Sequence, residues 1–144
     1  MKKAIIRGFV FVMLVILLLI PHGVTSVIQD STPPDIELEK PVEHRLYILG
    51  REVGPFPVLT LIIGPLIARV NAEDNPNGSG MDYVEFNFTE EFGDVEFLYK
   101  DYSPPYESLM PFGWWILEIR CLTAIAYDRA GNSKGVSIQY FKWL

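Results

Sequence analysis

A short phrase occurs twice in this chain, and it restricts the fold more than any other feature. Val70-Asn71-Ala72-Glu73-Asp74 and Ala124-Ile125-Ala126-Tyr127-Asp128 both run apolar, other, Ala, other, Asp. Each closes a run of alternating residues and opens a loop of turn formers. The first loop is Asn75-Pro76-Asn77-Gly78-Ser79-Gly80, the second Arg129-Ala130-Gly131-Asn132-Ser133. Alternation with period two is the pleat of a half-buried strand. Small Ala at the inner positions lets two sheets approach closely, and Asp at the exit can accept bonds from backbone N–H groups as the loop begins. Two such strands predict facing members of a β-sandwich.

The inward parity of each strand names the core. Leu66, Ala68, Val70 and Ala72 share one face, while Ile67, Arg69, Asn71 and Glu73 share the other. By the same rule Val84, Phe86 and Phe88 point inward from 81–89, and Leu122, Ala124 and Ala126 from the last long apolar run. Further strands are expected over 35–39, 44–49, 59–63, 66–74, 95–101 and 138–143. The stretch 114–128 is too long for one flat strand and is read as two pieces or a bend. Gly54-Pro55-Phe56-Pro57 and Ser103-Pro104-Pro105-Tyr106 read as a turn and a crossover, Gly64-Pro65 as a break, and Phe92-Gly93-Asp94 as a tight hairpin. No helical periodicity follows Ile20. Short strands with regular turn signals define an all-β class, a sandwich of about seven strands.

The first residues are read as a targeting segment. Lys2, Lys3 and Arg7 precede an unbroken apolar run from Phe9 to Ile20, and Pro21-His22-Gly23 then breaks any helix. Val24-Thr25-Ser26 suits cleavage after Ser26. The competing reading is an uncleaved anchor, because residues 4–20 just reach the lower limit of a bilayer span. The division is therefore 1–26 signal or anchor helix, 27–34 polar linker and 35–144 domain. Loss of residues 1–26 removes three basic residues. The charge passes from 12 basic and 18 acidic residues, net −6, to nine and 18, net −9. So acidic a body excludes nucleic acid and anionic membrane surfaces as partners, since both need clustered Lys and Arg. The expected location is secreted or cell-surface, with membrane contact only through 4–20 where that segment is retained.

Chemistry has little to work with. His44 is the sole histidine after the signal, in the charged patch Glu43-His44-Arg45, and Cys121 is the sole cysteine. No nucleophile elbow or paired-histidine motif is present, so the chain reads as no enzyme. Hard oxygen donors do gather around the two loops. Asp74, Asn75, Asn77, Asp82, Asp128 and Asn132 are candidate ligands for calcium, against the simpler role of capping their own turns. An EF-hand count from Glu73 fails at position 12, which is Val84. Trp114 and Trp115, with Tyr102, Tyr106, Phe112 and Trp143, form a candidate sugar-stacking platform, against the simpler role of core packing. Asn77-Gly78-Ser79 and Asn87-Phe88-Thr89 are glycosylation sequons.

Several motifs in order carry a resemblance. Pro33-Pro34-Asp35-Ile36, the run Arg69–Asp74, Ser79-Gly80 with Val84-Glu85-Phe86, Pro104-Pro105-Tyr106 and Ala126-Tyr127-Asp128-Arg129-Ala130-Gly131-Asn132 together resemble the bacterial and archaeal immunoglobulin-like modules of secreted surface proteins. The resemblance covers Pro33 to Leu144. It implies an immunoglobulin-like sandwich acting without catalysis, in adhesion, surface interaction or structural support, with a surface protein or a glycan as partner. A single module behind its signal points away from a spacer role. The alternative function is a carbohydrate-binding accessory using exposed aromatics. The resemblance implies no cofactor beyond the calcium considered above.

Overall fold

The computed structural model describes residues 30–90, 95–111 and 118–143. The expected signal or anchor segment 1–26, the expected hairpin at Phe92-Gly93-Asp94 and the Trp114-Trp115 pair lie outside the described residues. Ten strands follow one another: β1 Asp35–Lys40, β2 Arg45–Ile48, β3 Arg51–Pro55, β4 Thr60–Ile63, β5 Ile67–Glu73, β6 Met81–Glu90, β7 Val95–Asp101, β8 Tyr106–Leu109, β9 Glu118–Asp128 and β10 Ser133–Trp143. No helix occurs among the described residues. The strands form two sheets, one of order β1-β5-β8 and one of order β3-β2-β4-β10-β9-β6-β7. They face each other as a sandwich.

Parity does what the alternation demands. All ten core residues named from the sequence are buried, from Leu66, Ala68, Val70 and Ala72 on and before β5 to Leu122, Ala124 and Ala126 on β9. Ile67, Arg69, Asn71 and Glu73 alternate with them on the exposed face of β5. In the large sheet Val84 pairs with Ala126, Phe86 with Ala124 and Phe88 with Leu122, each large residue beside a small or branched one. Such pairing fills the layer without collision. Tyr47, Ile62, Met110, Ile138 and Tyr140 extend the same core toward β2, β4 and β10.

Two expectations are corrected. There are ten strands among the described residues rather than about seven. Gly54-Pro55, read as a turn, ends β3, which pairs with β2 across a register shift between Leu46 and Tyr47. An edge position tolerates Pro, because its missing N–H faces no partner. The crossover read at 103–106 stands: it carries the chain from β7 of the large sheet to β8 of the small one, which begins at Tyr106 and pairs with β5 through Val70↔Tyr106. The part of 114–128 that is described, Glu118–Asp128, is one continuous strand paired with β10 on one side and β6 on the other. The break at Gly64-Pro65 stands. Gly64 has φ +84°, and a side chain there would collide with Leu49 Cδ2.

Two buried cations interrupt the apolar layer at the end of the sandwich opposite the two Asp-led loops. Arg120 and Lys142 occupy inward positions of β9 and β10. The Lys142 ammonium donates to the Met110 carbonyl at 2.6 Å and to that of Pro111, so its charge is met by backbone dipoles. At the other end an ion pair between Asp35 and Lys134, at 2.7 Å, links β1 of the small sheet to β10 of the large one.

Substitution on the two parities separates packing from surface. Phe86→Ala is expected to cost about 3–5 kcal/mol and Ala124→Leu about 1–3 kcal/mol by overfilling the layer. Asn71→Ala, on the exposed face of β5, is expected to stay within about 0.5 kcal/mol. Urea unfolding of the three variants measures the contrast.

Candidate functional site

β5 lies in the small sheet and β9 in the large one, and both deliver their chains to the same end of the sandwich. Their loops touch there. The Arg129 N–H donates to the Gly80 carbonyl at 2.9 Å, and the Ala130 N–H to Ser79 Oγ at 2.9 Å. Gly80 and Gly131 have φ of +87° and +90°, the left-handed conformation that these turns require and that glycine adopts without strain.

Each exit Asp caps its own loop. Asp74 Oδ1 accepts from the Asn75 N–H at 2.8 Å, and Oδ2 from the Gly80 N–H at 2.6 Å. Asp128, almost completely buried, accepts from the Asn132 N–H at 2.8 Å and from Asn132 Nδ2 at 2.7 Å. Gly78 lies against Asp74 so closely that a Cβ would overlap the carboxylate. The first loop is thus wrapped around its own acid.

A third carboxylate joins them, from a segment the sequence reading assigned to a polar linker. Asp30 Oδ1 accepts from the Thr32 N–H at 3.0 Å, and Oδ2 from the Ser79 N–H at 2.8 Å. Its carbonyl accepts from Asn132 Nδ2 at 3.1 Å. Carboxylate oxygens of Asp30, Asp74 and Asp128 all lie within 4.8 Å of one another. Bonds from the Thr32 and then the Ser79 backbone N–H groups hold the Asp30 carboxyl below its ordinary value. The signal for Asp30 was local: Asp-Ser-Thr at 30–32 is an Asx turn, with the side chain bonded two residues ahead. Nothing in the linker's composition pointed at the loops 49 and 102 residues further on.

Of the six candidate ligands, Asp74 and Asp128 converge. Asn75 and Asn132 support them, each donating its side-chain amide to the neighbouring Asp. Asn77 is exposed, and its N–H bonds Asn75 Oδ1 at 3.3 Å. Asp82 is exposed at the start of β6 and is not a member of the carboxylate cluster. Both oxygens of each clustered carboxylate already accept a hydrogen bond, which accounts for the arrangement as capping. The remaining lone pairs form a set of hard donors from three separate segments, the chemistry that calcium takes among its 6–8 oxygen ligands.

The aromatic platform falls out differently. Tyr106 is buried in the core, Trp143 is partly exposed at the end of β10, and Phe112, Trp114 and Trp115 lie outside the described residues. Tyr102 is 66% exposed and meets Tyr83 with ring centroids 5.6 Å apart. Tyr83 stacks on Tyr127 at 4.7 Å, and the Lys100 ammonium lies 4.2 Å from the Tyr83 ring centre. Tyr83 and Tyr127 are neighbours in the β6–β9 register, a pairing invisible until the register is known.

No protein-family model matches the chain, and no curated protein matches it. Among solved structures it is similar to the crystal structure of an engineered protein, with 16% identity and a TM-score of 0.50. That match covers 77% of this chain and 20% of the engineered chain, so this chain corresponds to a fifth of its length. The likeness is one of fold.

Asp74→Ala and Asp128→Ala are each expected to cost about 0.5–2 kcal/mol, the range for losing a cap. Calcium titration tells capping from metal binding. A Tm raised by calcium and lowered by chelator in the wild type, but not in Asp30→Ala or Asp74→Ala, assigns a metal; an unresponsive Tm leaves capping alone.

A depressed carboxyl stabilises the fold above its ordinary value and loses that contribution as pH falls through its folded value. The Asp30 contribution is therefore expected to be whole above 3.8 and to fade below it. Acid unfolding of Asp30→Asn is expected to lack that part of the wild-type pH dependence.

Proposed function

We propose that this chain is an immunoglobulin-like module, exported through residues 1–26 and displayed at or released from a prokaryotic cell surface, which works by binding and structural support rather than by catalysis. The observation that best supports this reading is the attachment of Asp30 to both loops. The segment that follows the export signal is tied to the end of the sandwich by Ser79 and Asn132. A domain fastened to its lead segment presents its far surface in a fixed orientation, which is what display requires. The acidic body, net −9 without residues 1–26, keeps such a domain soluble and away from nucleic acid and anionic lipid.

The charged patch around His44 suits solvent rather than chemistry, since His44 is exposed in the turn before β2. Fractionation of a prokaryotic host, with mass analysis of the exported chain, tests the reading. The expected product begins at Val27 and lies outside the cytoplasm. Full-length chain retained in the cytoplasm sinks it.

A carbohydrate-binding role is the second reading, and one observation favours it. The rings of Tyr83, Tyr102 and Tyr127 form a contiguous cluster with Lys100 above and one ring largely in solvent. Aromatic faces of this kind stack on the apolar faces of sugars. A glycan array probed with the wild type and Tyr102→Ala decides the matter. Binding lost in the variant supports it, and no glycan bound by the wild type removes it.

A further inference from the structure

The outer face of the large sheet changes character partway along β10. Its first outward residues are Ser133, Gly135, Ser137 and Gln139, with Thr123 and Cys121 of β9 beside the last two. From Phe141 on the face is apolar. Phe141 lies between Ile119 of β9 and Leu61 of β4, with Leu46 of β2 beyond, and Trp143 lies beside Ile63 and Ile48. Seven apolar side chains thus cover four strands in two rows. The residues between them, Tyr47, Ile62, Tyr140 and Lys142, point the other way and are buried.

The change comes where β4 and β2 join β10 in parallel. Parallel strands occur almost only where both faces of the sheet are covered, and their sequences run apolar without alternation. Leu46-Tyr47-Ile48-Leu49 and Leu61-Ile62-Ile63 are such runs. Among the described residues nothing completes the cover. Ile48 is 38% and Trp143 42% exposed, and Leu46, Leu61, Ile63, Ile119 and Phe141 are each only partly buried.

We infer that this face packs against the same face of a second copy of the chain, sheet on sheet. Charge, size and position select that occupant. The seven residues carry no charge, and Arg51, opposite Ile48 on β3, lies at the margin. A flat neutral face leaves no charge buried and unpaired when it meets another flat neutral face, and the copy supplies one. Four strands about 4.8 Å apart and two rows about 7 Å apart make a face of about 300 Å². Two such faces with their rims bury on the order of 1,000 Å², the low end of the range, where pairs form and part. The association is therefore weak rather than permanent. Phe141 is eight residues along β10 from Ser133, about 27 Å from the end where Asp30 is held. A bilayer reached through the lead segment lies at the wrong end to cover it. Two copies related by an axis along the strands keep both Asp30 ends on one side and stack their sheets as aligned layers. This partner goes beyond the surface-module reading and holds whether the chain is displayed or released.

Sedimentation equilibrium of the purified exported chain, from about 1 µM to about 1 mM, tests the pairing. The mass is expected to rise with concentration from one chain toward two. Ile48→Glu places an uncompensated carboxylate in the contact and is expected to weaken association about tenfold or more. Asn71→Glu, on the exposed face of β5, is expected to leave it unchanged. Amide NMR shifts that change on dilution are expected at 46–48, 61–63, 119 and 141–143, a map that requires no variant to fold. A single-chain mass at about 1 mM overturns the proposal. So does association whose shift changes fall on β7 or on the loops at the Asp30 end. A chain that stays single yet sediments with neutral phosphatidylcholine vesicles assigns the face to a bilayer and also overturns it.

Discussion

The register of β9 is the constraint on which the rest of the structure depends. It pairs with β6 on one side and β10 on the other over nearly its whole length, so its alternation is imposed on both neighbours. A slip of one residue would turn Leu122, Ala124 and Ala126 to solvent and bring Thr123, Ile125 and Tyr127 inward. The alanines could not be exchanged for these larger residues without driving the sheets apart. The same register sets Asp128 beside Met81, and thereby fixes where the second loop meets the first. Core and loop end are two outcomes of one alignment.

What the sequence made legible follows from this. β5, β6 and β9 each bury one face and expose the other, and such strands write their parity into the chain. The meeting of the two loops was legible for the same reason, since strands of known direction in opposite sheets deliver their ends together. β3 and β8 left no such trace. Each is short and lies at an edge, held by backbone pairing to one neighbour; β3 buries no side chain and β8 buries only Tyr106 and Ser108, too few positions for a parity to show. Asp30 was hidden for another reason. Its partners, Ser79 and Asn132, come from two distant loops, and only the folded chain gathers them.

The polar groups in the structure divide along the same lines. At the loop end three carboxylates lie together because backbone N–H groups from the tight turns point at each of them. Gly78 keeps a side chain out of the space that the Asp74 carboxylate fills. At the opposite end Lys142 is met by carbonyls, the complementary backbone dipole. Each end of the sandwich has thus satisfied a charge with main chain exposed by the end of a strand.

The position of β10 has a consequence for how this chain reaches its folded form. β10 lies between β4 and β9, parallel to the first and antiparallel to the second, and it alone joins β3-β2-β4 to β9-β6-β7. Tyr140 finds its partner Thr60 across more than half the sequence. Until residue 143 has emerged, the large sheet exists as two halves, each with an unpaired edge where β10 belongs. Pairings of such long sequence separation form late and slowly, because the chain must first close the intervening loop. A chain delivered across a membrane from its N-terminus would therefore travel unassembled and complete its sheet only after translocation. Truncation before Ser133 would leave β4 and β9 as open templates for aggregation.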